Sequence, residues 1–349
     1  MINLDLKISH RNWEEALNML FALLIHASPG EVVCVTGPAR TGKTRIIEEL
    51  RTMLDGPNTS NDDQIVATAY VLVDNDGNNG RFTTKSFIWD ALVAIRHPGF
   101  YGLTDTENIT RKFDRSSEAA MKKAFIVGAK HRKLKYLFFD EAQHVNYVAK
   151  GADAPHMVLD SWKNMAKQAG VVLVLAGAYP MLDTLRNSPH LIGRQYKVNL
   201  PRYYENKDDL NEFASIVGQY SACLPDDLVE NDLVSHTRYL HRHTFGCIGL
   251  LRLWLLHAAV YAKQYRTQIN KAVLESTRAT DDDLKSIGRE IAAGEEILFR
   301  GTDFSALSVP EAPCSPEDQL GKPVKKSQRI PFKAKQRRYK PGSRTAGEE

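Results

Sequence analysis

The stretch GPARTGKT at residues 37–44 follows the apolar run EVVCV and leads into RIIEELRTML. It matches the pattern G-x-x-x-x-G-K-[ST] and lies between an expected strand and an expected helix, the setting that pattern requires. Glycines let backbone N–H groups close around phosphates, and the helix N-terminus adds the positive end of its dipole. Gly37, Pro38, Ala39, Arg40, Thr41, Gly42, Lys43, Thr44 and Arg45 are therefore the candidate nucleotide-binding residues. In this chemistry Lys43 reaches the β- and γ-phosphates of ATP, and the Thr44 hydroxyl is offered to Mg²⁺. A second group follows in KYLFFDEAQH, residues 135–144, where a hydrophobic strand ends in two acids. Ligands of open α/β sheets bind at the carboxyl ends of strands. Asp140 is placed to hold Mg²⁺ through water, and Glu141 to polarise an attacking water as a general base. Together the motifs predict ATP binding and hydrolysis.

These residues need a sheet to bring them together, and the sequence supplies one. EVVCVTG, QIVATAYVLVD, KYLFFD, VVLVLAGA and QYKVN read as five strands, with helical patterns between them. All five apolar runs look buried on both faces, as parallel strands between helices are. GLTDTENITRKFDR reads as a polar connection into a helix over Glu118 to His131. Met1 to His26 is an amphipathic segment with Trp13, Leu17, Leu20, Phe21 and Leu24 at helical spacing. Beyond Glu205 the strand signal disappears and only helical patterns remain, such as IGLLRLWLLHAAVYAKQ. The expected organisation is an α/β domain over residues 1–204 with an N-terminal helical segment at 1–28, then a helical domain over 205–298. Residues 299–349, rich in Pro, Ser, Gly and basic clusters, read as a disordered tail.

The formal charge of +4 hides an asymmetry. Lys322 to Glu349 contains ten Lys/Arg and two Glu, so the tail carries about +8 and the rest of the chain about −4. No apolar stretch approaches the roughly 18 residues a membrane helix needs, and no signal peptide opens the chain. Cys34, Cys223, Cys247 and Cys314 lie far apart without a CxxC pair, which fits a reducing compartment and argues against zinc or a disulfide framework. The expected location is the bacterial cytoplasm, with no membrane partner.

GPARTGKT, LFFDEAQHV, VVLVLAGAYPMLDTL and SPHLIGRQYKVNLPRY together resemble AAA+ ATPases of the TnsC/TniB/MuB group over roughly Asn12 to Lys271. DEAQH, followed by a helix and a strand ending in G-x-Y/T-P, is the most specific part. The resemblance implies an AAA+ core with a helical lid, and a regulator that chooses DNA targets for a transposase. It implies assembly of the ATP form on double-stranded DNA as a homo-oligomeric ring or helical filament, about six or seven subunits per turn. It also implies recruitment of transposase subunits and a response to a target-selection factor, in some elements a CRISPR-guided complex. Carried over residue by residue, Arg194 takes the place of the arginine finger that reaches a neighbour's ATP, with Arg186 in competition. Arg252 falls at the lid position called sensor 2, facing either the γ-phosphate or a carboxylate. Ala178 falls where a polar sensor 1 residue is expected, so either Tyr179 substitutes for it or hydrolysis is slow.

Filament ATPases of this kind place a few Lys/Arg on loops facing a central channel. Arg81 and Lys85 in RFTTKSF, and Arg111, Lys112 and Arg115 in ITRKFDR, are the candidates for duplex contact. The tail interleaves basic residues with Phe332 and Tyr339 and is expected either to fold onto a transposase or to tether DNA. Two other classes remain open. DEAQ also looks like a helicase motif, which requires a second RecA-like domain, and a clamp-loader or signalling ATPase gating another protein complex shares the nucleotide motifs.

Overall fold

Alternate residues of a strand point to opposite faces, and here both faces find apolar partners. In the computed structural model, which describes residue 4 and residues 8–56, 65–75, 80–147, 154–187, 193–230 and 232–299, five strands form one sheet in the order β2-β3-β4-β1-β5. They are β1 (Val32–Thr36), β2 (Thr68–Leu72), β3 (Tyr136–Asp140), β4 (Val172–Gly177) and β5 (Gln195–Asn199), and every pairing is parallel. Val32, Cys34, Leu137, Phe139, Leu173 and Leu175 face one core with α3 (Thr84–Ala94), α5 (Glu118–His131) and α6 (Ala154–Ala169). Val33, Val35, Phe138, Val172 and Val174 face the other, with α1 (Arg11–His26) and α2 (Lys43–Asp55). The sheet is thus sandwiched between helices, and two of its three inner strands, β1 and β4, are buried throughout.

The edge strands depart from the two-faced burial expected of all five runs. In β5 Tyr196 and Lys197 are exposed, and in β2 Leu72 is 49% exposed. An edge strand has a neighbour on one side alone, so its outer residues need not be apolar. The chain also makes a helix where a polar connection was expected. α4 (Thr106–Arg115) is capped by Asp105, whose side chain accepts the Glu107 N–H at 3.1 Å. Glu107 lies in its first turn and Lys112 and Arg115 in its last, which matches the helix dipole. At the N-terminus the helix begins at Arg11, and residues 8–10 precede it in non-helical conformation.

After β5 the described residues form helices, with one isolated bridge between Val229 and Ile269. α7 (Pro180–Arg186) precedes β5; α8 (Lys207–Ala222), α9 (Thr237–Thr244), α10 (Ile248–Tyr265) and α11 (Lys271–Thr277) follow it around a third core of Phe213, Ile216, Leu251, Trp254 and Leu274. Among the described residues no single helix is long and apolar enough to cross a membrane. Met1–Gly301 forms one compact unit, and residues 300–349, the whole basic tail among them, lie outside the described residues.

α12 (Asp281–Phe299) returns to the α/β part. Arg202 donates two hydrogen bonds to Glu295, at 2.7 and 3.0 Å, and Arg186 donates to the Ile297 carbonyl. Gly294 lies against the Tyr179 ring, and a Cβ there would stand 2.1 Å from Cγ of that buried side chain. Gly294→Ala gains about 1 kcal/mol of helix propensity but overpacks a site that cannot yield, at about 1–3 kcal/mol or more. The overlap wins. We expect a lower melting temperature in calorimetry, and a melting temperature at or above wild type would contradict this packing.

Candidate nucleotide site

The loop after β1 turns sharply because Arg40 and Gly42 both take positive φ, 64° and 103°. Gly37 is needed for close approach, since a Cβ there would meet the Leu200 carbonyl oxygen at 2.5 Å. Inside the loop the Pro38 carbonyl accepts from Thr41 Oγ1 at 2.9 Å and from Lys43 Nζ at 2.7 Å, and the Gly37 carbonyl accepts from the same ammonium at 3.1 Å. Pro38, Thr41 and Lys43 are buried, whereas Ala39 and Arg40 form the exposed rim. Burial pushes the Lys43 ammonium below its ordinary pKa, opposed by Glu141 and Asp140. An ammonium in that setting gains from any anion brought to it.

Asp140 ends β3, two strands away from the loop, with β4 between them. Thr44 Oγ1 nevertheless donates to Asp140 Oδ2 at 2.7 Å, and Tyr70 OH donates to the same oxygen at 3.3 Å. Burial raises the Asp140 pKa, opposed by the hydrogen bonds from Thr44 and from the Glu141 N–H. Glu141 takes φ of 53°, a conformation that costs an L-residue about 1–2 kcal/mol. The turn brings its N–H to Asp140 Oδ1 at 2.9 Å and starts a 3₁₀ helix over Ala142–Tyr147. A cleft of about 880 Å³ opens here, lined by residues 39–45, Glu141, Gln143, Ala178 and Arg252.

This arrangement fits a nucleoside triphosphate with Mg²⁺. The paired hydroxyl and carboxylate are hard oxygen donors, and Mg²⁺ is commonly held by one or two carboxylates plus substrate phosphates. It needs no larger cluster, and among the described residues none of three or more His, Cys, Asp or Glu could hold a metal.

Residues 26–185 match the family model described as an AAA domain. Cdc6p from Pyrobaculum aerophilum is similar in structure, with a TM-score of 0.50 at 17% identity over 77% of this chain and 67% of that one. The ORC2 protein of Aeropyrum pernix in its ADPNP–ADP complexes gives 0.49 at 16% identity, over 80% and 70%. Drosophila ORC bound to DNA gives 0.49 at 13% identity, over 80% and 63%. No curated protein matches the chain. The fold is AAA+.

Within the AAA+ fold, Arg194 is exposed and its carbonyl accepts the Val32 N–H at 3.0 Å. It therefore stands where β1 begins, whereas the phosphate loop starts where β1 ends, roughly 13 Å away along the strand. Arg186, the competing finger candidate, is bound to the Ile297 carbonyl of α12. Arg252 lines the cleft, and its Nε donates to the Leu4 carbonyl at 2.9 Å. Tyr179 does not line the cleft. Its ring is buried under Gly294, and its buried hydroxyl lies toward the Asn199 side chain.

Several residues that line or support the cleft were not anticipated. Ile8, Ser9, His10 and Trp13 approach it from the N-terminal segment. His10 Nδ1 lies 2.9 Å from Tyr203 OH, and burial pushes its imidazole down to about 4, so it is neutral at pH 7. The Gly249 N–H at the start of α10 donates to the Arg40 carbonyl at 2.8 Å, joining the helical part to the phosphate loop. A Cβ at Gly249 would stand 2.4 Å from that oxygen. Gly249→Ala is expected to displace one partner, weakening ATP-analogue binding about tenfold and lowering the melting temperature. Fluorescent-analogue titration with a thermal melt checks both, and wild-type values in both would contradict the contact.

The candidate DNA residues come together in a way their separation in sequence does not suggest. Lys85 Nζ of α3 lies 4.5 Å from the centroid of the Phe113 ring of α4, and Lys112 Nζ lies 4.9 Å from that of Phe100. Arg81, Arg111 and Arg115 are exposed. Phe113 therefore brings Lys85 of α3 beside the helix that carries Arg111, Lys112 and Arg115.

Proposed function

We propose that the chain is an ATPase that regulates DNA transposition: its ATP form assembles on double-stranded DNA, engages a transposase at the target, and hydrolysis takes the assembly apart. The observation that carries the ATPase reading is one cleft lined by Lys43, Thr44 and Glu141, with the buried Asp140 carboxylate hydrogen-bonded to Thr44 behind it. Lys43 and the amides of the first turn of α2 bind the β- and γ-phosphates. Thr44 and Asp140 hold Mg²⁺, which when bound neutralises charge on the phosphates. Glu141 takes the proton of the attacking water.

Self-assembly is supported by Arg194. It is exposed at the end of β1 away from the phosphate loop, which supports a role toward a neighbour's nucleotide rather than its own. A guanidinium supplied in trans makes hydrolysis depend on the oligomer. The transposition role rests on the run of motifs resembling the TnsC/TniB/MuB group, and the basic surface of Arg81, Lys85, Arg111 and Lys112 is the duplex contact. The tail is assigned to the transposase, and a target-selection factor engages the assembled form. A helicase would need a second RecA-like sheet, and beyond β5 the described residues carry none.

Glu141→Gln should lose turnover by about 10²-fold or more while keeping ATP affinity, so that the protein persists on DNA. Phosphate release and filter binding with ATP measure the two arms; full turnover would remove Glu141 from its role. The Arg81→Ala/Lys85→Ala double variant should bind random duplex more weakly, with a salt slope shallower by about 2. An unchanged slope in filter binding would take this surface out of the interface.

A further inference from the structure

β4 ends in Gly177 and Ala178, which offer no polar side chain to the cleft. Gln143, from the 3₁₀ turn after β3, reaches that place instead. Its Oε1 accepts the Ala178 N–H at 2.9 Å, and its Nε2 donates to Glu141 Oε2. The chemistry of the partners fixes which way the amide points. A backbone N–H can face only an acceptor, and an ionised carboxylate can only accept, so the oxygen must lie toward Ala178 and the NH₂ toward Glu141. Gly177 makes room for this bridge, because a Cβ there would stand 2.6 Å from Gln143 Oε1. The backbone of Glu141 is held as well, by its left-handed turn and by its N–H on Asp140 Oδ1.

We infer that Gln143 is the positioning residue of the hydrolytic step: clamped on the end of β4, its amide holds the Glu141 carboxylate over the phosphate cleft, supplying from β3 the polar link that Ala178 lacks. One carboxylate oxygen is occupied by this bond, and the other is left to take a proton from water. Gln143 acts through Glu141, so its loss should lower the rate of the chemical step and leave nucleotide binding to the phosphate loop. The inference rests on Glu141 being the general base.

The test compares Gln143→Met with Gln143→Glu in the full chain, with duplex DNA present for turnover. Methionine keeps the volume and removes both hydrogen bonds. Glutamate keeps an oxygen for the Ala178 N–H but turns a carboxylate toward Glu141. Gln143→Met should lower kcat by about 10- to 100-fold, less than loss of the base itself, with KM for ATP within about twofold of wild type. In the nucleotide-free protein, hydrogen–deuterium exchange at the Ala178 amide should speed up in Gln143→Met and stay slow in Gln143→Glu. Gln143→Glu should nevertheless lose at least as much kcat as Gln143→Met. A purely structural role would tie the loss of rate to the loss of protection, so a Gln143→Glu protein with protected Ala178 and wild-type kcat overturns the inference. So does wild-type kcat in Gln143→Met. Those results beside an inactive Glu141→Gln protein leave the base in place and refute Gln143 alone, whereas an active Glu141→Gln protein refutes the base and the inference with it.

Discussion

The hydrogen bond from Thr44 to Asp140, 2.7 Å long, joins two strands that are not neighbours. It exists because parallel strands end at the same side of the sheet, so the loop after β1 and the acid ending β3 both arrive there with β4 between them. Everything at the site follows from that geometry. Lys43 enters the same space from the first turn of α2, buried and held by two loop carbonyls. The end of β4 sits in the gap, and the residues there decide whether a side chain can pass. Gly177 and Ala178 are small enough to let Gln143 cross from β3.

The helical part meets the α/β part through contacts of different character at the front of the cleft and behind it. At the front, the Gly249 N–H meets the Arg40 carbonyl, and Arg252 ties α10 to Leu4 of the N-terminal segment. At the back, α12 docks through Gly294 on Tyr179 and through the Arg202–Glu295 pair. The back contact is a close fit of buried groups and resists change. The front contact includes hydrogen bonds at the edge of a cleft, each worth about 1 kcal/mol net.

Much of this was legible in the sequence because the signals were local and strong. GPARTGKT lies between an apolar run and an amphipathic one, and LFFD ends in its acids, so strand, loop and helix had one consistent reading. What escaped depended on which strands are neighbours. β5 is short of apolar residues because it is an edge, and strand order is not written in any one strand. The helix over Thr106–Arg115 turns only Ile109 and Phe113, four residues apart and partly buried, toward the core, so its apolar signal is thin amid charged residues, although its Asp105 cap and end charges were there to be read. Gln143 stood in plain sight within DEAQH, but its role needs the end of β4, 35 residues away. Arg252 was correctly expected to need a polar partner inside an apolar helix, yet a backbone carbonyl from Leu4 has no sequence signature at all.

The central claim is that a triphosphate is held in the first βα turn by the Lys43 ammonium. Calorimetric titration of the full chain with a non-hydrolysable ATP analogue and Mg²⁺, beside Lys43→Ala, tests it most directly. The account predicts saturable one-to-one binding by the wild-type protein and a loss of affinity of about 100-fold or more in the variant. Equal binding by both proteins, or none by the wild type in the presence of duplex DNA, would contradict it.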